Sequence, residues 1–357
     1  MITDGVLIVG PTGTGGMAQF IDKQREHLRD HVPVRVHERY STPPGSGLAR
    51  ILRGLFRTLR VLALFPFQDP PEVVHVHTAI RFSFYRSAFF VLFAKYVWGS
   101  KVILHVHGST FDEFLETDSV LVSLLQRAVF GAVDDVIVLS DSWREVVSKH
   151  VTEADIHVVP NAITLDAYDP QFTADPVRLV FVSNLVPRKG VSELLDALDE
   201  LERTVERPFR VDIAGDGPLA AEVQAFVADR DYVTYHGYVS EERKRELLAK
   251  GSVFVLPTYA EGLPIAMLEG MASGNAIVST AVGAIPEVID EDNGLLVEPG
   301  DEEALVSALA TLIRDPERTE AMARRNREAC ASDYTWERLT RNLLDVYESD
   351  PQPASAQ

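Results

Sequence analysis

Cysteine is almost absent. Cys330 alone allows no internal disulfide and no multi-cysteine zinc site, so nothing in the chain points to an oxidising compartment. Lysine is scarce: 7 of the 34 basic residues, against 27 arginines and 53 Asp and Glu. The formal net charge of −19 argues against a duplex-DNA binder, which needs a basic face to neutralise phosphates, and no nucleic-acid partner is expected. Carboxylates in such excess over lysine resemble a halophilic, high-salt cytoplasm, and equally suit an ordinary acidic protein. Long apolar runs are missing too. Ala88 to Ala94 falls well short of the ~20 residues of a spanning helix, and Gly270 to Pro286 is broken by polar residues and glycines. The opening MITDGVLIVG carries an acid where a secretory signal carries basic residues. The expectation is a cytoplasmic protein, with disorder confined to ends such as Ser349 to Gln357.

What is present is enough chain, 357 residues with 46% hydrophobic and 24% charged, for two domains and a large core. Short valine- and isoleucine-rich runs alternate with helical patterns, which predicts parallel sheets built from strand–helix–strand units. Strands are expected at Val6–Val9, Val73–Val76, Val102–Val106, Val136–Leu139 and His157–Val159, then at Leu179–Val182, Arg210–Ala214, Val233–His236, Val253–Leu256 and Ala276–Ser279. The loop Ile163 to Pro176, with Asp-Pro pairs at 169 and 175, separates the two series. The reading is α/β: two doubly wound, Rossmann-like domains, 1–166 and 172–333, facing a central cleft at the carboxyl ends of their strands. Residues 1–170 carry 16 basic and 19 acidic side chains, and 171–357 carry 18 and 34, so nearly all the net charge lies in the second half.

The first strand runs into Gly10-Pro-Thr-Gly13-Thr-Gly15-Gly16-Met-Ala18. A P-loop is ruled out because Gly16 stands where the phosphate-binding lysine belongs. Gly13-x-Gly15-x-x-Ala18 partly matches a dinucleotide fingerprint, with Glu38 as candidate ribose ligand; a turn that needs glycine only for its backbone is the plain alternative. In the second half, Arg188-Lys189-Gly190 places two cations after a strand and before the helix Val191–Leu201, where a diphosphate would explain them; a solvated pair like Arg243-Lys244-Arg245 or Arg324-Arg325 is the alternative. The most specific stretch is Glu261-Gly262-Leu263-Pro264 continuing to Glu269 and Gly274, after strand Val253–Leu256. Pro264 suits a first helical turn, so the amides of Gly262 and Leu263 would be donors at a positive helix end. Eight residues of helix separate the two carboxylates by about 12 Å, too far for a glycosidase acid–base pair at ~5 to 9.5 Å. Two acids flanking a diphosphate make sense as acceptors for sugar hydroxyls.

Together with His107-Gly108, Val159-Pro160-Asn161, Ala214-Gly-Asp-Gly-Pro218, His236-Gly237, Gly283 to Glu287 and Asn293-Gly294, these motifs resemble the retaining glycosyltransferases of family 4, with the GT-B fold, over nearly the whole chain. Asn184, Ala162, Asn275 and Ala284 depart from that pattern. The resemblance implies that Arg188 and Lys189 grip the donor diphosphate, that Glu269 holds the ribose, and that Glu261 with Gly262, Leu263 and Pro264 holds the sugar and phosphate. It implies His107 at the sugar, Gly15, Gly16, Gly215 and Tyr238 at the donor, and a last helix, 336–348, crossing back to complete the first domain. His107, Arg188, Lys189 and Glu261 would be the catalytic set, with no cofactor and no metal. The partners expected are a nucleotide-sugar donor and a glycan or polyprenyl-linked acceptor.

Two His-x-His pairs, His75 with His77 and His105 with His107, end neighbouring strands and place four imidazoles on one edge; packed histidines, with one at the active-site edge, are preferred over a metal site. Asp229 to Asp231 and Asp290 to Asp292 read as solvated acids. Gly47 to Phe65 carries Arg50, Arg53, Arg57 and Arg60 opposite Ile51, Leu52, Leu55, Leu59 and Leu62, a basic amphipathic helix without an acid. Helices packed on the first sheet are one reading. Peripheral contact with the anionic inner face of a membrane is the other, favoured by eight cations between Arg50 and Lys101 against Asp69 and Glu72. The rival functions are an NAD-dependent oxidoreductase or epimerase using Gly13 to Ala18, and a non-catalytic nucleotide-sugar binding protein.

Overall fold

Valine and isoleucine recur without polar alternation in most of the short runs, which is the pattern of strands covered on both faces by helices. The computed structural model, which describes residues 2–13, 15–38, 47–151, 154–172 and 175–349, has such strands in two compact units. Thr14, the side chains of Glu38 and Arg50, and residues 350–357 lie outside the described set. One unit comprises Met1–Pro160 and Trp336–Gln357, the other Asn161–Thr335.

The first unit runs β1 (Val6–Gly10), α1 (Gly16–Leu28), β2 (Val34–Glu38), α2 (Gly47–Leu64), β3 (Val73–Thr78), α3 (Phe82–Phe93), β4 (Lys101–Val106), α4 (Phe111–Leu115), α5 (Val120–Phe130), β5 (Asp135–Val138), α6 (Asp141–Ser148) and β6 (Asp155–Val158). Its six parallel strands lie in the order β2-β1-β3-β4-β5-β6. The second unit runs β7 (Val177–Val182), α7 (Val191–Thr204), β8 (Phe209–Ala214), α8 (Ala220–Val227), β9 (Val233–Tyr235), α9 (Glu241–Lys250), β10 (Val253–Leu256), α10 (Ile265–Ala272), β11 (Ala276–Thr280), α11 (Ile285–Val288), β12 (Gly294–Val297), α12 (Glu302–Arg314) and α13 (Pro316–Asp333). Its strands are also parallel, in the order β12-β11-β10-β7-β8-β9. The last helix, α14 (Trp336–Glu348), belongs to the first unit.

Two strands escape the sequence reading, β2 and β12, and both are sheet edges. An edge strand is covered less, so VRVHE alternates polar residues and GLLV is brief and glycine-led; neither shows the apolar run of a central strand.

Helix α14 buries Trp336, Leu339, Thr340, Leu343, Val346 and Tyr347, one stripe at helical spacing, and packs beside α1. Trp336 stacks on His27 with centroids 5.2 Å apart and lies against Phe20. Its carboxyl end is fixed by Lys101, whose Nζ donates to the carbonyls of Val346 at 2.6 Å and Ser349 at 2.5 Å and pairs with Asp135 at 3.0 Å. A cation on the last carbonyls of a helix offsets its negative end.

Candidate active site

In the second unit β7 and β10 are neighbours, so the segments that follow them meet. After β7 the chain makes a short 3₁₀ turn, Pro187–Lys189, and then Gly190 at φ 69° opens α7. A Cβ at Gly190 would lie 1.9 Å from the carbonyl oxygen of Pro257, so only glycine lets this turn lie against the end of β10. Arg188 and Lys189 are thereby brought to Glu261, on the loop between β10 and α10. The Lys189 ammonium donates to Glu261 Oε1, Arg188 donates to the Ala260 carbonyl, and the Arg188 guanidinium lies 3.8 Å from Glu261 Oε2. The buried Thr258 hydroxyl reaches both Glu261 Oε1 at 3.2 Å and the Arg188 carbonyl at 3.0 Å.

The loop itself is held from two sides. Asn161 donates from Nδ2 to the Leu263 carbonyl at 2.7 Å, and the Ala284 amide donates to the Gly262 carbonyl at 2.9 Å. Pro264 caps α10 in an extended conformation, and the amides of Gly262 and Leu263 engage no partner among the described residues. Unpartnered amides at a helix start beside two cations form a site for an anion.

Glu269 is buried on α10. Its Oε1 accepts from the Tyr168 hydroxyl at 3.0 Å and from Lys244 Nζ at 2.7 Å. Burial pushes the Glu269 carboxyl above the usual range, and the adjacent Lys244 ammonium opposes that push. Burial works against the Lys244 ammonium, but the Glu269 and Glu241 carboxylates outweigh it and raise its pKa. Burial, then the charge of Glu269, pushes the Tyr168 phenol far up, so it stays a donor.

Lys244 corrects the reading of Arg243-Lys244-Arg245 as a solvated loop: all three lie on α9, and the Lys244 side chain is only 13% exposed. The signal was present, since Lys244 precedes the buried Leu247 and Leu248 by three and four residues and so shares their face. Arg324 and Arg325 likewise lie on a helix, α13, where Arg324 pairs with Glu320 at 2.7 Å. Tyr168 and Thr258 are further residues that sequence reasoning missed.

Other expected site residues lie apart from this cluster. Gly215, at the end of β8, donates its amide to the Gly237 carbonyl at 2.8 Å, and Tyr238 beyond β9 is 81% exposed. Gly15 caps α1 at φ 115° and Gly16 opens that helix, both in the first unit. His107 is in the first unit too, just after β4, where its Nε2 and His77 Nδ1 are 2.9 Å apart.

Behind His107, three buried imidazoles share a face of β3 and β4 under Phe20. Ligand atoms of His75, His77 and His105 lie within 4.8 Å of one another. His75 Nε2 is 3.2 Å from His105 Nδ1, while His75 Nδ1 meets the Tyr347 hydroxyl at 2.7 Å and the Gln24 amide at 3.2 Å. Burial pulls His75 down to about 3 and His105 well below the ordinary imidazole value, so both are neutral at pH 7. Asp229 to Asp231 and Asp290 to Asp292 lie in loops of the second unit.

The basic helix α2 does not bury its apolar face. Ile51 is 67% exposed, Phe56 68% and Leu59 56%, with Leu52 and Leu55 exposed as well, so packing on the first sheet does not account for this helix. No helix of the described residues is long and apolar enough to cross a membrane.

The model of the glycosyl transferase 4-like domain matches residues 5–162, and that of the glycosyl transferases group 1 matches residues 176–315. The chain belongs to the group 1 glycosyltransferases. Membership displaces the oxidoreductase reading of Gly13 to Ala18. The chain is similar to the MMP α-(1→4)-mannosyltransferase of Mycolicibacterium hassiacum, 30% identical over 56% of this chain and 49% of that protein. It is 26% identical to a phosphatidylinositol N-acetylglucosaminyltransferase from Arabidopsis thaliana, over 82% of this chain and 65% of that one. The chain thus spans between about half and two thirds of the length of these curated relatives. Among solved structures, Anabaena Alr3699/HepE in complex with UDP shares the GT-B fold, with a TM-score of 0.73 at 16% identity over 96% of this chain and 99% of that one.

Proposed function

We propose that this glycosyltransferase moves a sugar from a nucleotide-diphosphate donor to a lipid-linked or surface-glycan acceptor, with retention at the anomeric carbon and without a metal ion. The observation that carries the reading is the meeting of Arg188, Lys189 and Glu261 beside the unengaged amides of Gly262 and Leu263. Breaking the bond between sugar and diphosphate leaves negative charge on the phosphate oxygens, and fixed cations and amides aimed at that charge lower the barrier. Without donor, Glu261 is the counter-ion of Lys189. A diphosphate takes over the lysine, and the released carboxylate accepts hydrogen bonds from sugar hydroxyls. Glu269 accepts from the ribose, His107 holds the sugar, and Gly15, Gly16, Gly215, Pro264 and Tyr238 complete the donor contacts. The UDP bound by the Anabaena protein and the phosphatidylinositol in the name of the Arabidopsis relative are in keeping with this donor and acceptor.

We place the membrane contact on α2, where Arg53, Arg57 and Arg60 accompany the exposed Ile51, Leu52, Leu55, Phe56 and Leu59. Apolar side chains held out to solvent beside cations, in a chain of net charge −19, suit an anionic lipid surface. The test of the metal-free mechanism is turnover of a nucleotide-sugar panel in excess chelator. Activity should persist; loss in chelator that a divalent ion restores would overturn the mechanism.

A further inference from the structure

Both donors on Glu269 reach the same oxygen. Tyr168 and Lys244 share Oε1, and no described residue engages Oε2. Lys244 is itself fixed from the other side by Glu241 at 2.8 Å. We propose that Lys244 is a positioning residue for nucleotide recognition: with Tyr168 it locks one oxygen of Glu269 and leaves the ionised second oxygen to the ribose diol of a nucleoside diphosphate. The inference rests on the reading of Glu269 as the ribose ligand.

A carboxylate accepts from both hydroxyls of a diol only while ionised. Burial favours protonation of Glu269, and Lys244 is the cation set against it. The other groups around it do not replace that cation. Glu241 on α9 repels, Arg245 on α9 acts on Tyr168, and Tyr168 from the loop before β7 is a neutral donor. From α13, the Cys330 thiol is neutral, its pKa pushed by burial up to about 12, and Arg327 is committed to the carbonyls of Leu165 and Ala272. Strands β10 and β11, which also pack on α10, contain no titratable side chain. Without Lys244 the balance shifts toward the protonated acid, and the pH at which Glu269 ionises moves up. Below that pH, nucleotide affinity falls about tenfold per unit.

The experiment is calorimetric titration from pH 6.0 to 8.5 of whichever of UDP, GDP and ADP binds the wild-type protein most tightly, with inorganic diphosphate in parallel. The variants are Lys244→Met, Lys244→Arg and Glu269→Gln. Lys244→Met should bind the nucleotide progressively more weakly than wild type as pH falls, the deficit closing at alkaline pH, while its diphosphate affinity stays that of wild type. Lys244→Arg should restore the wild-type profile. A nucleotide deficit independent of pH, or an equal loss for diphosphate, overturns the inference. Glu269→Gln with unchanged nucleotide affinity sinks the ribose reading itself. A weakened Glu269→Gln beside a wild-type Lys244→Met sinks the inference alone.

Discussion

Replacing Lys189 with alanine removes the cation closest to Glu261 and, in the proposed mechanism, one of two charges on the departing diphosphate. Loss of one preorganised charge-stabilising donor costs on the order of 10² to 10³ in turnover, about 2.7 to 4 kcal/mol. A second effect must be separated from it. The Lys189 and Glu261 side chains are only 12% and 9% exposed, and removing one partner of a buried pair costs about 3 to 5 kcal/mol of stability. Glu261 keeps the Thr258 hydroxyl and has Arg188 at 3.8 Å, which puts the expected cost at the lower end of that range. The double variant Lys189→Ala with Glu261→Gln separates the two effects, because it leaves no uncompensated carboxylate. Stability measured by urea unfolding should recover in the double variant, and single-turnover release of nucleoside diphosphate should not. If Lys189→Ala turns over like wild type, or if the double variant regains full turnover, Lys189 serves only to neutralise Glu261.

Four juxtamembrane arginines at ~1 kcal/mol each could strengthen binding to an anionic surface by up to about 10³-fold at low salt, so changing Arg50, Arg53, Arg57 and Arg60 to glutamine should abolish co-sedimentation with phosphatidylserine liposomes there. At high salt the charge contribution is screened, and Phe56→Ser should become the more damaging change; binding indifferent to both changes at every salt concentration would refute the assignment of α2. The buried histidines set an acid limit. Between the unfolded imidazole pKa of about 6.5 and the His75 value of about 3, the unfolded chain binds the extra proton, so stability rises with pH there and is lost on acidification. Removing that group by His75→Asn should lower the slope of unfolding free energy against pH by about 1.4 kcal/mol per unit near pH 5, and an unchanged slope would show that His75 is not held neutral.

The residues that could be read were those whose meaning is local. Central strands announce themselves as apolar runs because both faces are covered, and the stretch from Glu261 to Glu269 shows a helix start because proline and glycine have fixed uses there. The edge strands β2 and β12 lack the first signal. Lys244 sits between two arginines, so its composition suggests a solvated surface, and only the helical phase set by Leu247 and Leu248 turns it inward to Glu269.

The pairing of Lys189 with Glu261 is of another kind, because 72 residues separate the partners and no periodicity connects them. It follows from strand order. In the second sheet β10 lies beside β7, although two strands come between them in the chain, so the turn after β7 and the loop after β10 emerge at the same edge. A sequence fixes which residues end each strand, but only the order of strands decides which ends are neighbours. Each motif alone therefore left a solvated alternative open. A cation and a carboxylate on adjacent strand ends, with Gly190 allowing the approach to Pro257, form a paired and partly dry site that neither motif could specify by itself.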